Sequence, residues 1–152
     1  MPSLFQNLNE AAWSREVKFL VIGGHAVNAY GIPRFTGDLD VFIRNSPANS
    51  ERVFRALVAF GAPLEELSPI DFCGNSEEVF QIGVEPGRVD ILQGISGVDF
   101  ESAWERRSLF EVEEGLKTPF ISLEDLLMNK DATGRPQDIA DAARLRKMRN
   151  TK

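Results

Sequence analysis

Short apolar runs, broken by glycine and proline, divide the chain, and the period within each run changes along it. Behind Ser3, an acceptable N-cap, Leu4, Phe5, Leu8, Ala11 and Ala12 recur at helical spacing and predict a packing helix. Residues 19–22, FLVI, are large or β-branched and run into glycines, the pattern of a buried strand. Gly23 and Gly24 end that strand, and residues 25–30, with Ala26 and Ala29 three apart, predict a helix that Gly31 and Pro33 stop. The chain then enters DLDVFI, where a period of two puts Asp38, Asp40 and Phe42 on one face and Leu39, Val41 and Ile43 on the other.

The second half repeats both periods. Ser46 and Pro47 mark a helix start, Val53, Phe54, Leu57 and Val58 form its apolar stripe, and Gly61 suits its end. Such a helix should cover one face of a sheet. Residues 62–76 hold two prolines and a glycine and predict a loop containing Asp71 and Cys73. Weak alternation over 79–84, a turn signal at Glu85, Pro86 and Gly87, and RVDIL at 88–92 together predict a hairpin. Asp99 and Glu101 precede Ala103 and Trp104 as caps of a short helix. Residues 109–112 and 116–121 predict two more strands around Gly115. Ser122 with Asp125 fits a capping box that opens a helix through Leu123, Leu126, Leu127 and Lys130, which Gly134 and Pro136 separate from a final helix.

Composition narrows the class. With 152 residues and 43% hydrophobic content, one domain over 1–152 can bury its own core, which we place at about 17–122 with a helical segment over 123–150. The apolar runs are too short to span a bilayer, and no basic region followed by an apolar stretch opens the chain, so the expected location is the cytoplasm. The single Cys73 reads as a structural thiol, and with His25 the lone histidine a Cys/His nucleophile is disfavoured. A net charge of -6 argues against broad binding to nucleic acid. The basic residues Arg144, Arg146, Lys147, Arg149 and Lys152 near the end read better as complements to a helix dipole than as an RNA contact.

Chemistry concentrates on three aspartates. Two carboxylates two apart on a strand have α-carbons about 6.7 Å apart and share a face, so Asp38 and Asp40 can converge on one or two divalent cations. For D-x-D alone, a solvated turn entering a strand is the plainer reading. Asp90 changes the picture: strands lie about 4.8 Å apart, so if RVDIL pairs beside DLDVFI, a third carboxylate reaches the same place. The glycine turn at Gly23 and Gly24 offers free backbone N–H groups to an anion.

Strand, Gly-Gly, helix, D-x-D on the next strand and a later single Asp resemble the polymerase beta-like nucleotidyltransferase superfamily. The stretch GGHAVNAYGIPRFTGDLDVFI is similar to small bacterial proteins of its abortive-infection and toxin–antitoxin (AbiEii-like) group, in which an Arg-x-Thr, here Arg34 and Thr36, often precedes the carboxylate pair. Residues 123–141, LEDLLMNKDATGRPQDIAD, are similar to that family's helical segment, with Lys130 and Asp138 at its Lys and Asp positions. The resemblance implies an α+β fold, a mixed β-sheet flanked by helices with helices at the C-terminal end. It also implies transfer of a nucleoside monophosphate from an NTP to a hydroxyl, releasing pyrophosphate. Asp38, Asp40 and Asp90 would then be catalytic and hold Mg2+ or Mn2+, while Gly23, Gly24, Arg34, Thr36, Lys130 and Asp138 would serve the nucleotide and its phosphates. The acceptor could be tRNA, a protein or a small molecule, and an antitoxin protein is a further implied partner. A catalytically inactive module of the same fold, binding nucleotide or a partner protein, is the alternative. Many superfamily members carry Gly-Ser where this chain has Gly23 and Gly24, so one hydroxyl contact to phosphate is missing. Read from the residues alone, Arg34 is equally a solvated loop arginine, while Lys130 as a solvated lysine and Asp138 and Asp141 as helix-dipole acids are the plainer readings.

Overall fold

A computed structural model describes residues 17–33, 37–60, 64, 66–75, 77–82, 88–113 and 116–150. The expected helix over 4–12, the Arg34 and Thr36 pair, the glycines at 61 and 115, the 85–87 turn and Lys152 lie outside these residues.

The described residues form a six-stranded mixed sheet with helices against it, the α+β class expected. Its strands are β1 (Phe19–Ile22), β2 (Leu39–Ile43), β3 (Val79–Ile82), β4 (Val89–Leu92), β5 (Ser108–Glu113) and β6 (Leu116–Phe120), and they lie in the order β3-β4-β2-β1-β6-β5. The expected hairpin exists, with β3 antiparallel to β4. β4 lies parallel to β2, β2 antiparallel to β1, β1 parallel to β6, and β6 antiparallel to β5. The two central strands carry the core because nearly every residue is apolar: all of β1 is buried, as are Leu39, Val41, Phe42 and Ile43 of β2. Phe42, on the aspartate face, closes against Phe100 edge to face at 5.1 Å.

Between these strands run α1 (Gly23–Ala29), α2 (Pro47–Phe60) and α3 (Phe100–Glu105), and after β6 come α4 (Leu123–Thr133) and α5 (Pro136–Asn150). Three details differ from the pattern reading. α1 takes in both glycines, because Gly23 at φ +66° lets the chain turn into the helix with no connecting residue. On α2 the buried stripe is Val53, Ala56 and Leu57, while Val58 points to solvent. The expected loop after α2 contains a short 3₁₀ turn, Pro69–Phe72, closed by a reciprocal Ser68 and Asp71 cap, which carries Phe72 fully into the core beside Phe54 and Phe80.

Asp99 caps α3 by accepting from the Ser102 backbone N–H, as expected, whereas Glu101 is held by Arg44 at 2.7 Å. Ser122 caps α4 by accepting from the Asp125 backbone N–H. The reciprocal half of the expected capping box takes another form, since the buried Asp125 carboxylate accepts from the Ser122 hydroxyl at 3.0 Å and takes a bidentate pair from Arg106 at 2.7 and 3.0 Å. Gly134 ends α4 in the left-handed conformation, and α5 folds back on α4. Arg146 and Arg149 of α5 meet Asp131 and Glu124 of α4, so part of the basic tail is used to clamp these two helices. Among the described residues no helix is long and apolar enough to cross a membrane.

Candidate active site

Register brings the chemistry together. Ile22 sits opposite Asp40 across the β1–β2 pair, and Asp40 sits opposite Asp90 across the β2–β4 pair. Side chains opposite each other on neighbouring strands share a face, so the condition set on RVDIL is met. Asp38 stands one residue before β2, where the Arg88 carbonyl accepts from the Leu39 N–H at 2.8 Å and the Arg88 N–H donates to Asp38 Oδ1 at 3.3 Å. Three aspartates from two strands thus meet at the strand ends beside the start of α1.

Gly23 belongs to the same cluster. A β-carbon there would lie 2.2 Å from Asp40 Oδ2, so the backbone closes against the carboxylate in a space that only glycine leaves open. Gly24 follows in the first turn of α1. His25 hydrogen-bonds the Asp38 backbone, and burial pushes its pKa down against the pull of that bond and of the Asp38 charge. It therefore braces the aspartate segment as a neutral ring near pH 7.

Electrostatics single out Asp40. Burial, then the charge and hydrogen bond of Asp90, then the charge of Asp38 push its pKa up to about 7, against a partial offset from Arg88. The cluster is short of positive charge at neutral pH. Among the described residues, what it has comes from Arg88, whose guanidinium grips Asp90 with Nε at 2.8 Å and Nη2 at 3.2 Å and reaches Asp38 Oδ2 at 3.3 Å. Among the described residues no three His, Cys, Asp or Glu side chains close into a ready metal cage. The donor set nevertheless fits Mg2+: hard carboxylate oxygens only, one of them with a proton affinity that a divalent cation would relieve.

A cleft of about 740 Å³ opens from these carboxylates towards α4 and α5, lined by Gly23, Asp40 and Asp90 on the sheet side and by Asn129, Lys130, Thr133, Arg135 and Asp138 on the helix side. Lys130 is buried, with Nζ 3.1 Å from Asp138 and 3.2 Å from Asp141. The reading of Lys130 as a solvated lysine is overturned. Burial pushes Asp138 up, but hydrogen bonds from Thr133, Lys130 and Arg135 outweigh it and hold the carboxyl below its ordinary range. Arg135 grips Asp138 with Nε at 2.8 Å while most of its side chain is exposed at the cleft wall.

The structure therefore gathers Asp40, Asp90 and Gly23 at one end of a cleft, with Asp38 joined to them through Arg88, and Lys130 and Asp138 in its opposite wall. Sequence reasoning missed Arg88, although a base two residues before Asp90 on one strand must share its face. It also missed Arg135, and it read Asp141 only as a helix-dipole acid and not as a partner of Lys130. Asp141 follows Asp138 at helical spacing, a signal that was available.

A family model described as "Nucleotidyltransferase of unknown function (DUF6036)" matches residues 1–146. The chain belongs to this nucleotidyltransferase family. A crystal structure of a candidate nucleotidyltransferase from Thermotoga maritima superposes with a TM-score of 0.59 at 16% identity, covering 98% of this chain and 92% of that one. At that identity the likeness speaks for the nucleotidyltransferase fold. No curated protein matches the chain.

Proposed function

We propose that this chain transfers a nucleoside monophosphate from an NTP to a hydroxyl acceptor and releases pyrophosphate. The observation that carries the reading is the Asp40 and Asp90 pair, aligned across β2 and β4 at the head of a cleft, with burial and then the neighbouring Asp90 and Asp38 carboxylates pushing Asp40 up to about 7. Asp38, Asp40 and Asp90 would hold Mg2+, which when bound supplies positive charge for the entering and leaving oxygens of an in-line displacement at the α-phosphate. Gly23 and Gly24 would offer backbone N–H groups to the phosphates, and Asp90 would take the proton of the acceptor hydroxyl. Arg34 and Thr36 would complete the phosphate contacts.

In the far wall Lys130 shares its charge between Asp138 and Asp141, so the exposed guanidinium of Arg135, oriented by Asp138, adds to what Lys130 offers the triphosphate. Positioning and electrostatics would provide most of the acceleration. A role as the toxin of a toxin–antitoxin pair is the finer form of this proposal; growth arrest on expression that Asp40→Asn relieves would support it.

Thermal unfolding with each of the four NTPs plus Mg2+ tests the reading. A rise in midpoint that needs both Mg2+ and one nucleotide and is absent in Asp38→Asn and Asp40→Asn is the expected outcome. Release of labelled pyrophosphate on adding a hydroxyl acceptor then identifies the substrate. No rise with any nucleotide, in a folded protein, would favour the inactive module.

A further inference from the structure

Arg88 does something that a metal-dependent site must undo. Asp90 accepts from it through both carboxylate oxygens, Oδ1 from Nε and Oδ2 from Nη2, and Asp38 faces it through both of its own, Oδ1 towards the backbone N–H and Oδ2 towards Nη2. Two of the three carboxylates proposed to hold metal are thus already committed to one guanidinium. The geometry points to Arg88 as a resident counter-ion that stands in for metal at Asp38 and Asp90 and must swing out before a divalent cation can be held there.

This inference rests on the proposed metal site and adds a residue that sets its occupancy. Three features support it. A guanidinium fork matches a carboxylate pairwise, so it keeps the two aspartates converged and lowers the repulsion among three acids that meet at one point. The Arg88 backbone is fixed at both its N–H and its carbonyl, to Asp38 and Leu39, so the side chain can leave without disturbing the strand. Its side chain is 23% exposed and so borders solvent, which gives the guanidinium somewhere to go.

A merely structural arginine and a competing counter-ion differ in the sign of one measurement. If Arg88 only braced the carboxylates, removing it would loosen them and weaken metal binding. As a competitor, its loss frees ligands and removes a repelling charge. A neighbouring unit charge changes proton affinity at a carboxylate by about 10- to 1000-fold, and a divalent cation at the same oxygens should gain at least about tenfold.

The test is Mn2+ binding to the full chain, followed by calorimetry and by the electron paramagnetic resonance of the free ion, between about pH 7.5 and 9 and compared where each variant's affinity no longer rises with pH, because losing Arg88 removes a charge that holds Asp40 down. Arg88→Gln should bind Mn2+ at least tenfold more tightly than wild type, while its metal-free form melts at a lower temperature. Arg88→Lys, which keeps the charge and loses the fork, serves if Arg88→Gln does not fold, and should bind about threefold more tightly. Unchanged or weaker binding in the variant, alongside measurable binding in wild type, overturns the counter-ion role and leaves the metal site standing. No Mn2+ binding in wild type and variant alike overturns both.

Discussion

Asp40 is where the fold works against itself. Its ordinary pKa is 3.8, and the folded site pushes it up to about 7, so the native state holds this proton more tightly than the unfolded chain does. The stability this contributes is fully present below the ordinary carboxylate range and is lost as pH rises towards 7. Asp40→Asn removes the ionisation and keeps a group able to donate to Asp90. In metal-free buffer the variant should melt close to wild type near pH 4 and increasingly above it as pH climbs to 7, with the gap constant beyond. Thermal unfolding in the presence of a chelator checks this, and a gap that does not widen with pH would sink the idea that Asp40 stores strain. Gly23→Ala acts on the same carboxylate from the other side. An alanine at φ +66° costs more than about 1 kcal/mol, and its β-carbon would have to displace Asp40 Oδ2 from a 2.2 Å approach. The expected result is a lower melting midpoint together with loss of any Mg2+-dependent stabilisation by NTP. The aspartates themselves were legible in the sequence because alternation along a strand fixes which residues share a face. Arg88 was equally placed by that alternation, yet nothing in a linear pattern says that a base will turn onto the acid two residues on instead of into solvent.

At the scale of elements, α4 and α5 are joined by charge as much as by apolar contact. Lys130 lies buried between Asp138 and Asp141, Arg135 closes on Asp138, and two further arginines clamp the outside. Breaking a buried pair leaves the partner charge unmatched, which costs roughly 3–5 kcal/mol. Lys130→Met should therefore destabilise the fold by about that amount in denaturant unfolding, and a loss of less than about 1 kcal/mol would mean that water already screens the cluster. Asp138 is held below its ordinary range, so what it contributes is present above that range and is lost as pH falls through its lower folded value. Any loss of activity in Lys130 variants must be read against this stability cost, which makes Arg135→Ala, at an exposed guanidinium, the cleaner probe of the triphosphate wall. It should weaken NTP-dependent stabilisation while lowering the metal-free midpoint much less than Lys130→Met does. Strand and helix positions here were readable from period, glycine and caps. The Lys130 cluster was not, because its partners lie 8 and 11 residues away beyond the Gly134 turn and are brought close only when α5 folds back.

For the molecule as a whole, the sheet order explains why one cleft collects everything. β2 stands between β1 and β4, so the glycine turn after β1 and the single aspartate of β4 arrive on either side of the D-x-D strand. The sequence suggested this adjacency through a resemblance, but pairing between strands fifty residues apart leaves no local mark, and only the fold supplies it. The arrangement makes metal binding and protonation compete for the same oxygens. Below about pH 7 a cation entering the cluster must displace the Asp40 proton, so apparent affinity falls by up to about tenfold per pH unit in that range; above it the proton is already gone and affinity levels off. The rise in melting midpoint produced by a fixed Mg2+ concentration, with and without NTP, should accordingly be small at about pH 6, larger at about pH 8, and little changed beyond. In Asp40→Asn, where no proton competes, any residual Mg2+ effect should be flat across the same range. A wild-type Mg2+ effect equally flat from pH 6 to pH 8 would show that the cation binds away from Asp40, and would move the candidate site from the sheet end of the cleft to its helical wall.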